Sequence, residues 1–107
     1  MYIKFSTKEG YLLNYYPLLK INIKNYSGLD FSKDSFKINE VEVKLNNIKG
    51  KKYINTEKPI VIPFEVSTEA KRGEYTLTVA FEGFLTNVKE KYAIKFVNKV
   101  YIDYKIY

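Results

Sequence analysis

The chain has 107 residues, a formal net charge of +6, and no cysteine, histidine or tryptophan. A chain of this length forms one domain with a single core and needs no disulfide or metal for stability. The missing residue types exclude disulfides, thiolate metal sites and every nucleophilic triad that depends on histidine. No apolar run approaches the roughly 18 residues that span a bilayer, and no signal peptide is recognisable.

The basic charge comes almost entirely from lysine. Lysine and arginine together number 18, and Arg72 is the single arginine. Nucleic-acid readers favour arginine, because its planar guanidinium matches phosphates and guanine edges. The bias toward lysine, isoleucine, tyrosine and asparagine is typical of an AT-rich genome. Abundant lysine and glutamate with a single methionine also indicates a thermophile-like composition.

The first segments read as short strands separated by turns. Residues 2–5 suggest an opening strand, and residues 11–16 form an apolar, aromatic run that Pro17 interrupts. Residues 18–26 predict the next strand. Its inward side chains are Leu19, Ile21 and Ile23. The Gly, Asp and Ser content of the next residues indicates a loop.

Residues 36–45 predict a strand whose apolar parity changes inside it. Phe36 and Ile38 share one parity, and Val41, Val43 and Leu45 share the other. A parity change needs an extra residue, so a bulge or strand break is predicted at Asn39-Glu40. The following NNIKGKK segment reads as a loop, and residues 53–55 as a short strand.

The most regular alternation lies between residues 53 and 83. Two runs of period two, residues 60–66 and 75–81, flank the polar connector STEAKRG. This spacing predicts strands with one face on the core, and we expect the runs to pair as an antiparallel hairpin. Six side chains are predicted to be buried against one another: Ile60, Ile62, Phe64, Leu77, Val79 and Phe81. The FLTNVKEK segment after Gly83 reads as a connection.

Residues 92–106 keep one apolar parity almost throughout. As one strand they would be about 50 Å long at roughly 3.3 Å per residue, longer than most strands. The polar pair Asn98-Lys99 is therefore predicted to end or bend the strand. We predict one domain over residues 1–107, with its core at about 18–97 and residues 98–107 as a terminal strand or lead-out.

Short strands at regular intervals, joined by turn-rich loops, predict an all-β fold. The preferred architecture is an immunoglobulin-like β-sandwich of about seven antiparallel strands.

Three segments carry a resemblance to a known family: KINIKNYSG, INEVEVKL and KPIVIPFEVSTEAKRGEYTLTVAFEG. The turn at residues 25–28, the V-x-V-x-L strand at 41–45 and the G-x-Y-x-L-x-V strand at 73–79 resemble the Ig-like domains of archaeal surface-layer-associated and CARDB-type cell-adhesion proteins. The chain departs from that pattern at residues 55–59, where Asn-Thr-Glu-Lys-Pro replaces the usual glycine-containing turn. The resemblance covers about residues 18–97. It implies a non-catalytic spacer or adhesion module of a larger exported protein, and it implies no cofactor.

The acidic residues have interpretations that need no ligand. Asp30, Ser32 and Asp34 have the spacing of a calcium loop, but Ser35 stands at the glycine position and Val41 at the final glutamate position. A solvated loop is therefore favoured, and no metal site is predicted. The charges at 40, 42 and 44 fall on one strand face, which favours a charged outer surface over a pair of catalytic carboxylates.

Asparagine and tyrosine residues give two further candidates. Asn25 begins an Asn-Tyr-Ser glycosylation acceptor sequence, which matters if the protein is exported. Eleven tyrosines interleaved with lysines could stack bases, as in single-strand binders. Tyr75, Tyr92 and Tyr104 lie on predicted core parity, however, so a structural role is favoured.

Two loops carry a cluster of cations. If the strands alternate in direction, the loops at residues 46–52 and 67–73 meet at one end of the sandwich, and the loop with Asp30 and Asp34 lies at the other end. The cations brought together are Lys49, Lys51, Lys52, Lys71 and Arg72. A cluster of one sign favours an anionic partner, such as a polysaccharide, an acidic surface layer or a nucleic-acid backbone. The alternative is that these exposed cations serve solubility.

Two hypotheses from different classes follow. The first is a non-enzymatic structural or adhesion module, whose partners are other domains or surface proteins. The second is a small basic β-protein that binds nucleic acid or another polyanion. The expected location is extracellular or on the cell surface if the chain is a domain of a longer exported protein, and cytoplasmic otherwise.

Overall fold

The computed structural model describes all residues from Met1 to Tyr107 and is all-β. Its one helical element is a 3₁₀ turn at Ile38–Glu40, and no helix in the chain is long and apolar enough to cross a membrane. The strands are β1 Tyr2–Ile3, β2 Tyr11–Leu13, β3 Lys20–Lys24, β4 Leu29–Asp30, β5 Ser35–Lys37, β6 Leu45–Ile48, β7 Lys51–Ile54, β8 Ile60–Val61, β9 Glu65–Val66, β10 Gly73–Asn87 and β11 Tyr92–Ile106.

The main sheet has the strand order β11-β10-β3-β5, with every pair antiparallel. β10 lies inside this sheet. Along one of its edges it pairs with β3 and, nearer its end, with β2. Its other edge pairs over the full 15 residues with β11, which has no strand beyond it. Three two-stranded sheets, β1-β8, β4-β9 and β6-β7, complete the fold.

The core lies where the main sheet meets the smaller sheets, as in a β-sandwich. The predicted inward residues Leu19, Ile21 and Ile23 are confirmed, since all three are buried. Ile21 and Ile23 belong to β3, and Leu19 directly precedes it. Leu77, Val79 and Phe81 of β10 face them across the ladder or pack beside them. The other members of the buried cluster are Leu13, Tyr15, Leu29, Phe36, Ile38, Ile54, Ile60 and Ile62. Each large side chain removed from water in this way contributes roughly 1.5–3 kcal/mol.

The predicted hairpin between residues 60–66 and 75–81 is wrong. The first run is divided into β8, which pairs with β1, and β9, which pairs with β4. Pro63 separates the two, and a proline cannot donate to a sheet ladder. Five of the six predicted side chains are buried, but Phe64 is 42% exposed. Phe64 lies directly after Pro63 and outside the core, where its ring packs against the ring of Phe31 with 5.6 Å between the ring centroids.

The break at Asn39-Glu40 is confirmed. β5 ends at Lys37, and the chain turns through the 3₁₀ segment, where the Glu40 carboxylate accepts a hydrogen bond from the Lys37 N–H at 2.8 Å. The predicted strand does not resume at Val41, because β6 begins only at Leu45. The NNIKGKK segment is also not a loop. Most of it belongs to the β6–β7 hairpin.

β10 and β11 are longer than the sequence pattern indicated. β10 does not end at Gly83 but continues to Asn87, and β11 passes through Asn98-Lys99 without a break. Asn98 lies opposite Phe81 but is exposed, because β11 is the outermost strand. A polar residue on the inner parity is therefore solvated there and does not disrupt the strand. The hairpin runs along a molecule that measures 50 × 20 × 19 Å.

Candidate functional site

The end of the molecule at the β10–β11 turn, which we call the hairpin end, is built by a four-residue loop, Val88–Lys91. The Asn87 carbonyl accepts a hydrogen bond from the Lys91 N–H at 2.8 Å, and its side-chain oxygen accepts one from the Glu90 N–H at 2.8 Å. Lys91 adopts a left-handed backbone conformation with φ of 58°. These bonds fix the loop and place Lys91 where β11 begins.

A second turn reaches the same end. β6 and β7 are joined by Lys49 and Gly50, which both have positive φ, at 51° and 79°. Two left-handed residues form the type I′ turn that suits a two-residue hairpin. β7 contacts the chain just after β2. Asn14 and Tyr53 form an isolated antiparallel β-bridge, and the Lys52 carbonyl accepts a hydrogen bond from the Tyr15 N–H. Since β2 pairs with the last residues of β10, the lysines of β7 lie at the hairpin end.

Between these turns lies an open cavity of about 510 Å³, which we call the basic groove. Its lining combines three lysines with tyrosines and uncharged polar groups: Asn14, Tyr16, Gly50, Lys51, Lys52, Tyr53, Thr86, Lys91, Tyr92 and Ala93. A neighbouring cavity of about 340 Å³ shares Lys51 and Lys91 and adds Lys49. No carboxylate lines either cavity, so both surfaces are of one sign.

Hydrogen bonds hold the uncharged side chains of the groove in place. The Thr86 hydroxyl donates to the Asn14 side-chain oxygen at 2.6 Å, and this bond joins β10 to the chain beside β2. The Asn14 amide also donates to the Tyr16 carbonyl at 3.5 Å. The Asn87 amide donates to the Tyr92 hydroxyl at 3.3 Å. Tyr16 is 60% exposed, so its ring offers an accessible aromatic face.

Tyr11 and Tyr92 interact beside the groove. A hydrogen bond with Tyr92 is the main cause that lowers the pKa of the Tyr11 phenol, with further contributions from Asn87 and Lys8. The same hydrogen bond is the main cause that raises the pKa of Tyr92.

The structure separates the five predicted cations. Lys49, Lys51 and Lys52 lie at the hairpin end, whereas Lys71 and Arg72 precede the first residue of β10 at the opposite end. The predicted meeting of the two loops is therefore wrong. The prediction assumed that successive strands reverse direction and that residues 53–55 and 60–66 are two such strands. Residues 60–66 are instead divided into β8 and β9, which pair with β1 and β4.

The acidic loop lies opposite the Lys49 turn, as predicted, but it shares its end with Lys71 and Arg72. The Gly28 carbonyl accepts a hydrogen bond from the Ser67 N–H at 2.8 Å, and Asp30 pairs with Glu65. No group of three or more acidic side chains converges on a potential cation site anywhere in the chain.

Lys91 was missed by sequence reasoning, because the segment after Gly83 was interpreted as a connection. Tyr92 was assigned a structural role on core parity, but it is 44% exposed and lines the groove. The signal was present: apolar parity continues through Leu85, and a four-residue VKEK turn then separates two strands of equal length. If this turn is interpreted as the turn of a hairpin, Lys91 lies at the same end of the molecule as the last residues of β10, which pair with β2.

Asn25 lies in an exposed turn directly after β3, with φ of 60°. Ser27, the third residue of the acceptor sequence, is also exposed, and its carbonyl accepts a hydrogen bond from the Tyr104 hydroxyl at 2.6 Å. The Asn25 side chain is therefore open to solvent at a fixed turn.

Comparison with protein-family models, curated proteins and solved structures finds no match for this chain. Its function must be inferred from its own geometry, in which the basic groove is the most developed feature.

Proposed function

We propose that the chain is a non-enzymatic, Ig-like structural and adhesion module that belongs to a larger cell-surface or secreted protein. The observation that carries this proposal is the shape: an all-β rod 50 Å long and about 20 Å wide, with one hairpin running along it. A rod of this kind suits a spacer, because a long antiparallel ladder resists bending. The absence of histidine and cysteine from the sequence agrees with a role that needs no catalytic nucleophile system.

The basic groove supports a second candidate function, the binding of an anionic polymer. Lys51, Lys52 and Lys91 present three positive charges around one open cavity, with the exposed ring of Tyr16 at its side. Charges of one sign raise the local potential and attract polyanions. In this proposal the lysines contact the anionic groups, and the tyrosine rings pack against the flat faces of sugars or bases.

An acidic polysaccharide fits this groove better than a nucleic acid. Lysine acts as a flexible point charge, whereas sequence reading of nucleic acids relies on the bidentate guanidinium of arginine. The one arginine, Arg72, lies at the opposite end of the rod. A polysaccharide ligand also agrees with adhesion as the role of the whole module.

The binding test uses a sulfated polysaccharide and a single-stranded oligonucleotide as probes, each at low and high salt. The variant Lys51→Glu alters the groove, and Lys71→Glu is a matched charge reversal at the other end. We expect K51E to weaken polysaccharide binding strongly and K71E to leave it nearly unchanged, with affinity falling as salt rises. Equal effects of the two variants, or no binding, would contradict the proposal that the basic groove binds an anionic polymer. Tighter binding of the oligonucleotide would favour the nucleic-acid alternative.

The surface location is tested separately in intact cells of the source organism. The natural reading frame is tagged within this domain, and the cells are treated with a protease that does not enter them. We expect loss of the tag from intact cells and, if the acceptor sequence is used, a mass increase that Asn25→Gln abolishes. A tag protected until lysis would contradict the surface module.

A further inference from the structure

The free edge of β11 is the longest unpaired backbone surface of the molecule. All 15 residues of β11 pair with β10 on one side, and no strand lies on the other side. An unpaired edge of this length is a template for another strand. We propose that β11 pairs antiparallel with β11 of a second copy of this chain, with Asn98 of one copy opposite Asn98 of the other. This proposal is independent of the basic groove.

The hydrogen-bonding pattern identifies the backbone groups that are free. The Phe84 carbonyl accepts a hydrogen bond from the Asn14 N–H at 2.9 Å, so the backbone groups of Phe84 point away from β11. In an antiparallel ladder each residue directs both groups to one side, and neighbouring residues alternate. Phe84 lies opposite Lys95, so every second residue from Ala93 to Lys105 directs its N–H and C=O to the free edge. Asn98 belongs to the other set, which bonds to β10.

The side chains along β11 are those of an incompletely covered strand. Ile94, Val100 and Tyr92 lie on the face that β10 uses for the core, yet they are 42%, 41% and 44% exposed. On the outer face Val97 and Tyr101 are each 67% exposed. The second layer of the sandwich therefore does not extend over this part of the edge, and a neighbouring strand would cover it.

The proposed register gives each apolar side chain on the core face from Tyr92 to Tyr104 an apolar neighbour. On the core face it places Ile94 opposite Ile102 and Phe96 opposite Val100, and Tyr92 opposite Tyr104. Asn98, the one polar residue on that face, meets itself on the two-fold axis, where the two amides can hydrogen-bond. Directly opposed side chains of this kind are the main source of sheet stability.

Charge selects the same register. If Lys99 lay on the axis, it would oppose itself; if Val97 or Val100 did, Lys95 would oppose Lys99 or Lys105. With Asn98 on the axis no like charges oppose each other between Tyr92 and Tyr104, and Asp103 lies diagonal to Lys95 of the second copy. Lys105 has Lys91 as its partner position, but Lys91 lies in the turn outside β11. Because directly opposed like charges destabilise a ladder, the lysines of β11 disfavour the wrong registers.

Two competing registers also avoid opposed charges. With Phe96 on the axis only residues 92–100 pair, Ile94 lies opposite Asn98, and Ile102 and Tyr104 remain beyond the paired segment. The other register pairs a longer part of β11. It places Tyr101 on the axis and pairs Lys99 with Asp103, but it puts Asn98 opposite Tyr104. It also leaves Tyr92 and Ile94 beyond the paired segment, so two exposed core-face side chains remain uncovered. Because the chain contains no cysteine, single introduced cysteines distinguish the proposed register from the Tyr101 register directly.

The first experiment compares Asn98→Cys, Tyr101→Cys and, as a control, Asn39→Cys, which is exposed in the 3₁₀ turn away from β11. Directly opposed residues of an antiparallel ladder have Cα atoms about 4.5 to 5.5 Å apart, which is within the range of a disulfide in both registers. Under mild oxidation we expect a covalent dimer of N98C and little of the other two. Cross-linking of Y101C instead would overturn the proposed register, and equal cross-linking of all three would overturn specific pairing.

The second experiment measures self-association by analytical ultracentrifugation over a wide concentration range. Val97→Lys places a lysine opposite Lys99 twice in the symmetric dimer, and Val66→Lys is a matched change at an exposed valine of β9. We expect V97K to weaken the dimer by roughly tenfold and V66K to have no effect, with Lys99→Asp restoring association of V97K. A wild-type chain that stays monomeric at all concentrations, or equal effects of V97K and V66K, would overturn the proposal.

Discussion

β10 and β11 have the same length and the same alternation, but their positions in the sheet make them different structures. In β10 the inward residues Leu77, Val79 and Phe81 are 3%, 1% and 3% exposed. In β11 the residues on the same face of the sheet, such as Ile94 and Val100, are more than 40% exposed. β10 has a strand on each side, and β11 has one neighbour only. Period two in a sequence therefore identifies a face, whereas burial depends on the strands that lie beside it.

The largest expected effect contrasts two phenylalanines on the core face of the hairpin. Phe81 in β10 is buried and meets Phe5 edge to face at 5.1 Å, whereas Phe96 in β11 is only partly buried. Phe81→Ala should cost about 3–5 kcal/mol of unfolding free energy, as expected for a buried phenylalanine. Phe96→Ala should cost clearly less. Urea denaturation of both variants measures the difference, and equal losses would mean that β11 is as well covered as β10.

The next effect concerns the one glycine buried inside β10. A Cβ atom on Gly83 would lie 2.5 Å from Leu19 Cδ1 and 3.1 Å from Phe96 Cε1. Leu19 is fully buried and has little room to move. Gly83→Ala should therefore destabilise the protein by about 1–3 kcal/mol through overpacking. The double variant with Leu19→Val relieves the closest contact and should recover part of the lost stability. An unchanged unfolding midpoint for Gly83→Ala alone would show that Leu19 and Phe96 can move away from β10 at little cost.

A smaller effect tests what holds the last part of β11. The Tyr104 hydroxyl donates to the Ser27 carbonyl, and its ring stacks on Tyr75 at 5.5 Å. Tyr104→Phe keeps the stacking and removes the hydrogen bond, so it should cost about 1 kcal/mol. Thermal unfolding at neutral pH measures this loss, with Tyr101→Phe as a control on the outer face.

The same tyrosine gives a prediction for alkaline pH. Desolvation is the main cause that raises the pKa of Tyr104 above its ordinary value of 10.0, and the nearby Tyr75 adds to it. A pKa that is raised in the folded state contributes stability below pH 10, and that contribution is lost as the pH rises through the folded value. The difference in stability between wild type and Tyr104→Phe should therefore shrink above about pH 10. A difference that stays constant to pH 11 would contradict this role of the hydroxyl proton.

The smallest expected effect lies on the outer face of the hairpin. Lys95 of β11 pairs with Glu82 of β10 at 2.8 Å, and this hydrogen bond is the main cause that lowers the pKa of Glu82 below 4.5. A lowered pKa contributes stability above the unfolded value, which is lost as the pH falls through the folded value. Glu82→Gln should destabilise the protein only slightly at pH 7, because exposed pairs contribute little, and the difference should shrink as the pH falls below 4.5. Equal unfolding midpoints for the variant and wild type at pH 7 would show that the Lys95–Glu82 ion pair makes no net contribution to stability.

The sequence predicted those parts of the fold that depend on local alternation. It identified the all-β class, the inward residues in and just before β3, five of six core side chains and the break at Asn39-Glu40. It did not identify which strands pair, because pairing joins residues far apart in sequence and period two is the same in a central and an edge strand. The position of the cations failed for the same reason. Lys51 and Lys71 were assigned to one end by assuming that successive strands reverse direction, whereas the observed strand pairing places them at opposite ends.

The short Val88–Lys91 turn also has a consequence for the order in which the chain assembles. Asn87 and Tyr92, at the start of the hairpin, are 5 residues apart, whereas Asn14 and Thr86, which join β2 to β10, are 72 residues apart. Closing a short loop loses less chain entropy than closing a long one, and hairpins form within microseconds. We therefore expect the β10–β11 ladder to close from its turn first and to present a preformed surface. The earlier two-thirds of the chain then folds onto it, so the slow step is the docking of distant strands onto a hairpin that already exists.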